Sequence, residues 1–138
     1  MGTIKIPKPV QFFSSIIFRE DKTLAVAQEK LQSLIGNIQG RTSYMSFHHT
    51  DYYEREMGKD LLRMFVIFEP LLSRELLSGI KIQTNDIENE LSRNGNRTIN
   101  IDPGYISLEN VILATTKGYN HRIYIGEGIY ADLTLIYS

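Results

Sequence analysis

At 138 residues, with 15 basic and 16 acidic side chains, the chain is long enough to bury its own core and too nearly neutral to draw in nucleic acid or an anionic membrane through its overall field. Its 42% hydrophobic and 22% charged residues exclude the disordered and collagen-like classes. The lack of cysteine excludes disulfides, thiolate metal sites and a cysteine nucleophile. One α+β domain spanning 1–138 is the expectation. The first residues lack the apolar run of a signal peptide, and Ile6 stands where a myristoylation signal needs Ser or Thr, so a cytoplasmic protein is expected.

In chain order, Val10 to Phe18 is rich in Phe and Ile with serines on both faces, the pattern of a central strand covered on both sides. Asp21 is placed to cap a helix in which Leu24, Ala27, Leu31, Leu34 and Ile35 recur at helical spacing, and Gly36 supplies the stop. Strand-prone runs follow at Arg41–Phe47 and Leu61–Phe68, with a polar, aromatic segment from His48 to Lys59 between them. Met64–Phe68, the densest apolar stretch, is far too short to cross a bilayer.

After Pro70, Ser73 can cap a second helix with Leu76, Leu77, Ile80, Ile87 and Leu91 on one side, which Asn94-Gly95 ends. Arg97–Ile101 and Val111–Thr115 read as short strands separated by an Asp102-Pro103-Gly104 turn. His121–Ile125 and Ile129–Ile136 read as a terminal hairpin about Gly126-Glu127-Gly128. Strand, helix, strand, strand, helix, strand outlines a ferredoxin-like split βαβ core, a mixed, mostly antiparallel sheet with two helices on one face and a C-terminal β-hairpin extension. The other face is then left for loops, the hairpin or a second copy in a homodimer.

Gly126-Glu127-Gly128-Ile129-Tyr130-Ala131 fits the dinucleotide fingerprint in letters, but an alternating strand follows where that motif must open a helix, so a hairpin turn is the reading. No spaced glycine pair leads to a Walker lysine. Two segments are chemically dense. His48 to Gly58 holds His49, Asp51 and Glu56, which could supply a divalent centre or, with His121, the groups of a metal-assisted hydrolase; the plainer reading is a surface connection whose tyrosines cover the sheet edge. Thr115 to Arg122 holds Thr116, Lys117, His121 and Arg122, which suit a small anionic ligand with the imidazole as general acid or base. Arg63, within an apolar strand, needs an anionic partner if buried, with Asp102 and Glu69 the candidates.

Thr50-Asp51-Tyr52-Tyr53-Glu54-Arg55-Glu56-Met57-Gly58, Ile80-Lys81 with Thr84-Asn85, Asn100 to Tyr105, and Ala114 to Lys117 with His121 to Tyr124 together resemble bacterial family 4416 of domains of unknown function. The resemblance implies no established activity, and the GTP-binding label of some members finds no nucleotide motif here. It also implies an aromatic, proline-containing tail beyond the last strand, so that a chain stopping at Ser138 would lack whatever that tail closes. His48-His49 depart from the acidic or aromatic residues the resemblance leads one to expect. Three readings follow: a domain binding a small anionic or phosphorylated ligand through Arg63, Thr116, Lys117 and Arg122; a metal-assisted hydrolase; and a structural protein-interaction module. The cofactor is left open.

Overall fold

The computed structural model describes residues 1–48 and 51–137. Strand β1 (Val10–Phe18) leads into helix α1 (Asp21–Leu34), then short strands β2 (Ile38–Arg41) and β3 (Met45–Ser46), helix α2 (Asp51–Met57) and long strand β4 (Leu62–Leu72). A 3₁₀ turn opens helix α3 (Leu77–Glu90), and β5 (Ile99–Ile106), β6 (Asn110–Thr115), β7 (Arg122–Gly126) and β8 (Ile129–Ile136) complete the chain. The strands form one α+β sheet in the order β2-β4-β1-β5-β6-β8-β7, with β3 beside β4 and every pair antiparallel. Among the described residues no helix is long and apolar enough to cross a membrane.

Alternation along β1 explains its central place. Val10, Phe12, Ile16 and Phe18 join Met64, Val66 and Phe68 of β4 and Ile99 and Ile101 of β5 under α1 and α3. Burying this layer is the main driving force for the fold. On the opposite face Ile17 packs with Phe47, Met57 and Leu61, so α2 covers one end of the sheet there.

Several local expectations change. Helix α1 is capped by the extended Glu20, with no side-chain bond, and Asp21 is its first helical residue, where its charge still complements the helix dipole. Ser73 caps the 3₁₀ turn by accepting from the Glu75 N–H (3.3 Å). Strand β4 runs on through Pro70 because the register against β1 shifts between Gln11 and Phe13, and a bulge is where a strand tolerates a residue without an N–H. Asn94-Gly95 forms a separate tight turn beyond the helix, closed by the bridge between Arg93 and Asn96. Asp102-Pro103-Gly104 is no turn at all: β5 passes straight through it, held extended by β1 from Gln11↔Ile106 to Phe18↔Ile99. The reversal comes at Ser107–Asn110, where the Ser107 N–H donates to the Asn110 carbonyl (2.9 Å) and its hydroxyl accepts from the Asn110 N–H (3.1 Å). The β7–β8 hairpin turns on Glu127 and Gly128, both in the left-handed region (φ 55° and 81°).

Candidate functional site

The sheet is forked. Strand β6 pairs with β5 only from Gly104↔Leu113 to Ile106↔Val111, so the stretch from Ile99 to Pro103 has a strand neighbour on the β1 side alone. Proline chemistry accounts for where the ladder stops. The Ile101 N–H and carbonyl point away from β1: the first donates to Glu88 Oε2 (2.7 Å) and the second accepts from Lys81 Nζ (3.4 Å). Pro103, two residues on, faces the same way and has no N–H to offer β6. Helix α3 therefore supplies with side chains what the missing strand would have supplied with backbone.

The fork opens into a polar cavity of about 450 Å³. One bank carries Lys81, Asn85 and Glu88 from α3 with Arg97, Asn100 and Asp102 at β5; the other carries Thr115, Thr116, Lys117, Arg122 and Asp132, and Tyr52 and Tyr53 of α2 join the lining. On the first bank the groups form a chain. Lys81 Nζ lies 3.2 Å from Asp102 Oδ1, the Asn100 amide donates to Asp102 Oδ2 (2.9 Å), and Arg97 Nη1 donates to Asn100 Oδ1 (2.8 Å). Arg97 then leaves the cavity to clamp Glu56, which accepts its backbone N–H (2.7 Å), Nε (3.0 Å) and Nη2 (2.9 Å). On the second bank Arg122 Nε reaches Asp132 Oδ2 (3.1 Å), its Nη1 donates to the Lys117 carbonyl (3.0 Å), and its guanidinium lies over the Tyr119 ring.

Lys117 differs from the other cations in the lining. Its ammonium sits 5.0 Å from the centre of the Tyr52 ring, and among the described residues it makes no ion pair. Lys81 pairs with Asp102, Arg97 with Glu56 and Arg122 with Asp132, which among the described residues leaves this ammonium as the lining cation without a carboxylate. Burial pushes the Glu88 carboxyl up, against the opposing pull of the Ile101 N–H, Lys81 and Arg97. Burial, with the nearby Asp102 charge, also raises the Tyr53 hydroxyl, which stays a hydrogen-bond donor. The Arg97 clamp lowers Glu56, which stays charged.

Thr116, Lys117 and Arg122, drawn from one polar segment of the sequence, thus share one wall. Arg63 does not line this cavity: on the α2 face of β4 its Nε donates to Ser15 Oγ (2.9 Å) and its guanidinium lies over Phe65 and Phe47 (4.9 and 5.6 Å). A hydroxyl and two ring faces serve it where a carboxylate was expected. Asp51 is the exposed first residue of α2, and Glu56 faces a smaller neighbouring cavity while holding Arg97. His121 is 65% exposed, with Nε2 3.6 Å from Asp132 Oδ2, and stands outside the cavity lining. His49 lies outside the described residues. Among those residues no group of three or more His, Asp or Glu could hold a metal ion. Sequence reasoning gives no site role to Lys81, Glu88, Arg97 or Asn100, and reads Asp102 as a turn residue or a partner of Arg63, whereas it pairs with Lys81. The available signal was the unusual Asn100 to Gly104 run, which places an acid and an amide beside a proline.

A family model described as a domain of unknown function (DUF4416) matches residues 8–138. No curated protein and no solved structure matches the chain.

Proposed function

This chain belongs to the DUF4416 family, whose description assigns no activity, and we propose that it binds a small anionic ligand, phosphorylated or carboxylated, in the fork between β5 and β6. The observation that carries the reading is Lys117, a cation at the wall of a polar cavity that, among the described residues, lacks the carboxylate each neighbouring cation has. An ammonium so placed gains a partner when an anion enters, whereas Lys81, Arg97 and Arg122 would have to share theirs. Arg122 and the Thr116 hydroxyl stand on the same wall, and Asn85, Asn100 and Tyr53 offer donors to further oxygens. Tyr52 offers a flat apolar face to a ring or sugar. In this reading β2-β4-β1-β5 with α1 and α3 is the ferredoxin-like split βαβ core, and β6, β8 and β7 are an addition whose divergence from β5 makes the site.

The test is thermal unfolding with inorganic phosphate, pyrophosphate, citrate or GTP, for the native chain, Lys117→Ala and Lys22→Ala, the last on α1 away from the cavity. A ligand at about a hundred times its dissociation constant adds about 2.7 kcal/mol, a rise of several degrees in a domain of this size. The rise is expected for at least one of these anions, retained in Lys22→Ala and lost in Lys117→Ala. No rise with any of them, or an equal rise in Lys117→Ala, overturns the reading.

A further inference from the structure

Helix α1 begins without a side-chain cap. Its extended N-cap Glu20 bonds no first-turn amide through its carboxylate, and among the described residues the N–H groups of Asp21, Lys22 and Thr23 meet no side-chain acceptor. The first backbone bond of the helix runs from the Leu24 N–H to the Glu20 carbonyl (3.2 Å). A 14-residue helix started in this way gathers unpaired donors and the positive end of its dipole at one point. Thr23 adds a hydroxyl with nothing to bond. It is 6% exposed, its Oγ1 makes no hydrogen bond among the described residues, and it lines the smaller cavity, about 270 Å³, where the start of α1 meets the end of α2 and the turn from Arg93 to Thr98. Among the described residues the only unpaired side-chain nitrogen or oxygen sealed from solvent is Arg74 Nε, so the Thr23 hydroxyl opens into the cavity that it lines.

The charges around this cavity are unevenly matched. Glu56 is taken up by Arg97, at the backbone N–H and the guanidinium together. Glu20 is left to serve both Arg19 and Arg93, which approach the same oxygen, Oε1, at 3.6 and 3.5 Å, beyond the roughly 2.7–2.9 Å of a charge-assisted hydrogen bond. A Cβ at Gly58 would stand 2.5 Å from Arg19 Nη1, so the bare backbone at the end of α2 is what lets that guanidinium lie there. We propose that this cavity binds a phosphate group, free or at the end of a small phosphomonoester. Its oxygens accept from the Thr23 hydroxyl and the first-turn N–H groups of α1, and Arg19 and Arg93 supply the opposing charge. The volume falls below the roughly 300–1,000 Å³ of sites for larger ligands, which suits a compact oxyanion. Tetrahedral phosphate offers enough oxygens for hydroxyl, amide and guanidinium donors at once, which the two oxygens of a carboxylate do not. Arg97 is the one residue that lines both this cavity and the fork, and the inference does not rest on binding in the fork.

Amide NMR of the full chain carrying Lys117→Ala, titrated with inorganic phosphate and with glycerol 3-phosphate, reads this site without the fork. Saturable shifts are expected at Asp21, Lys22, Thr23 and Gly58. In the same background Thr23→Val, which keeps the shape and removes the hydroxyl, should weaken binding about tenfold or more, whereas Thr23→Ser should hold it within about threefold. Arg93→Gln, at a side chain 64% exposed, should weaken it about threefold. Tighter binding of the ester assigns the site to a phosphorylated small molecule, and tighter binding of phosphate assigns it to the free ion. No saturable shift at the start of α1 with either probe, or an affinity unchanged by Thr23→Val, overturns the proposal. The spectrum of each variant before titration separates a lost site from a lost fold. Thr23→Val alone silences this site and leaves the fork, so failure of one reading is distinguished from failure of the other.

Discussion

Replacing Glu56 by Gln removes one charge and keeps the shape, so it isolates what the clamp on Arg97 contributes. Glu56 accepts the Arg97 backbone N–H at 2.7 Å and its guanidinium at 2.9–3.1 Å, with both side chains about a quarter exposed. Buried charge-assisted hydrogen bonds contribute about 1.5–3 kcal/mol and exposed ion pairs about 0–1, which places this partly covered clamp near 2 kcal/mol. At about 3 °C per kcal/mol, Glu56→Gln should lower the midpoint of thermal unfolding at pH 7 by about 6 °C. The clamp holds the folded-state carboxyl below its ordinary value of 4.5, so its contribution is present above that value and is lost as pH falls through the folded-state one. A protonated Glu56 resembles Gln, and the two midpoints should therefore converge as the pH falls through the folded-state value. A difference under about 1 °C at pH 7, or one that persists unchanged into acid, would refute the argument.

Glu88 should behave in the opposite sense, because burial raises its carboxyl and deprotonation costs stability as pH rises through the folded-state value. Glu88→Gln, which can still accept the Ile101 N–H, is expected to be neutral or stabilising at pH 7 by urea unfolding, whereas Glu88→Leu leaves that N–H orphaned and should cost about 1–3 kcal/mol. Lys81→Met strips Asp102 of its cation and the Ile101 carbonyl of a donor, a loss of about 2–3 kcal/mol that Asp102→Asn should partly restore in the double variant. Gly104→Ala drives a methyl into the Ile112 carbonyl oxygen and within 3.0 Å of the Phe13 ring, where β5 and β6 last touch. It should lower stability by about 2–4 kcal/mol, and hydrogen exchange should show the β6 amides of Val111 and Leu113 less protected.

Val10 to Phe18 and the C-terminal hairpin were legible from the sequence, since period-two patterning and a Gly-Glu-Gly turn are local signals that the sheet reinforces. Asp102-Pro103-Gly104 misleads because turn propensity is local, while β1 pairs along the whole of β5 and holds the backbone straight. The same proline ends the ladder to β6, so the residue that looks like a chain reversal opens the cavity. Thr116, Lys117 and Arg122 were visible as one polar segment. Lys81 and Glu88 read only as polar positions on an amphipathic helix, and nothing local reveals that α3 lies over an interrupted sheet edge. Arg63 illustrates the limit on partner choice: sequence demands compensation for a cation in an apolar strand, but a serine hydroxyl and two aromatic faces meet that demand as well as a carboxylate.

The most direct test of ligand binding in the fork is an amide NMR titration of the full chain with inorganic pyrophosphate, read residue by residue. The account predicts saturable shifts concentrated at Thr115–Lys117, Arg122 and Asn100–Asp102, the two banks of the cavity, and their disappearance in Lys117→Ala. Saturable shifts clustered elsewhere, or none at these positions, would contradict it.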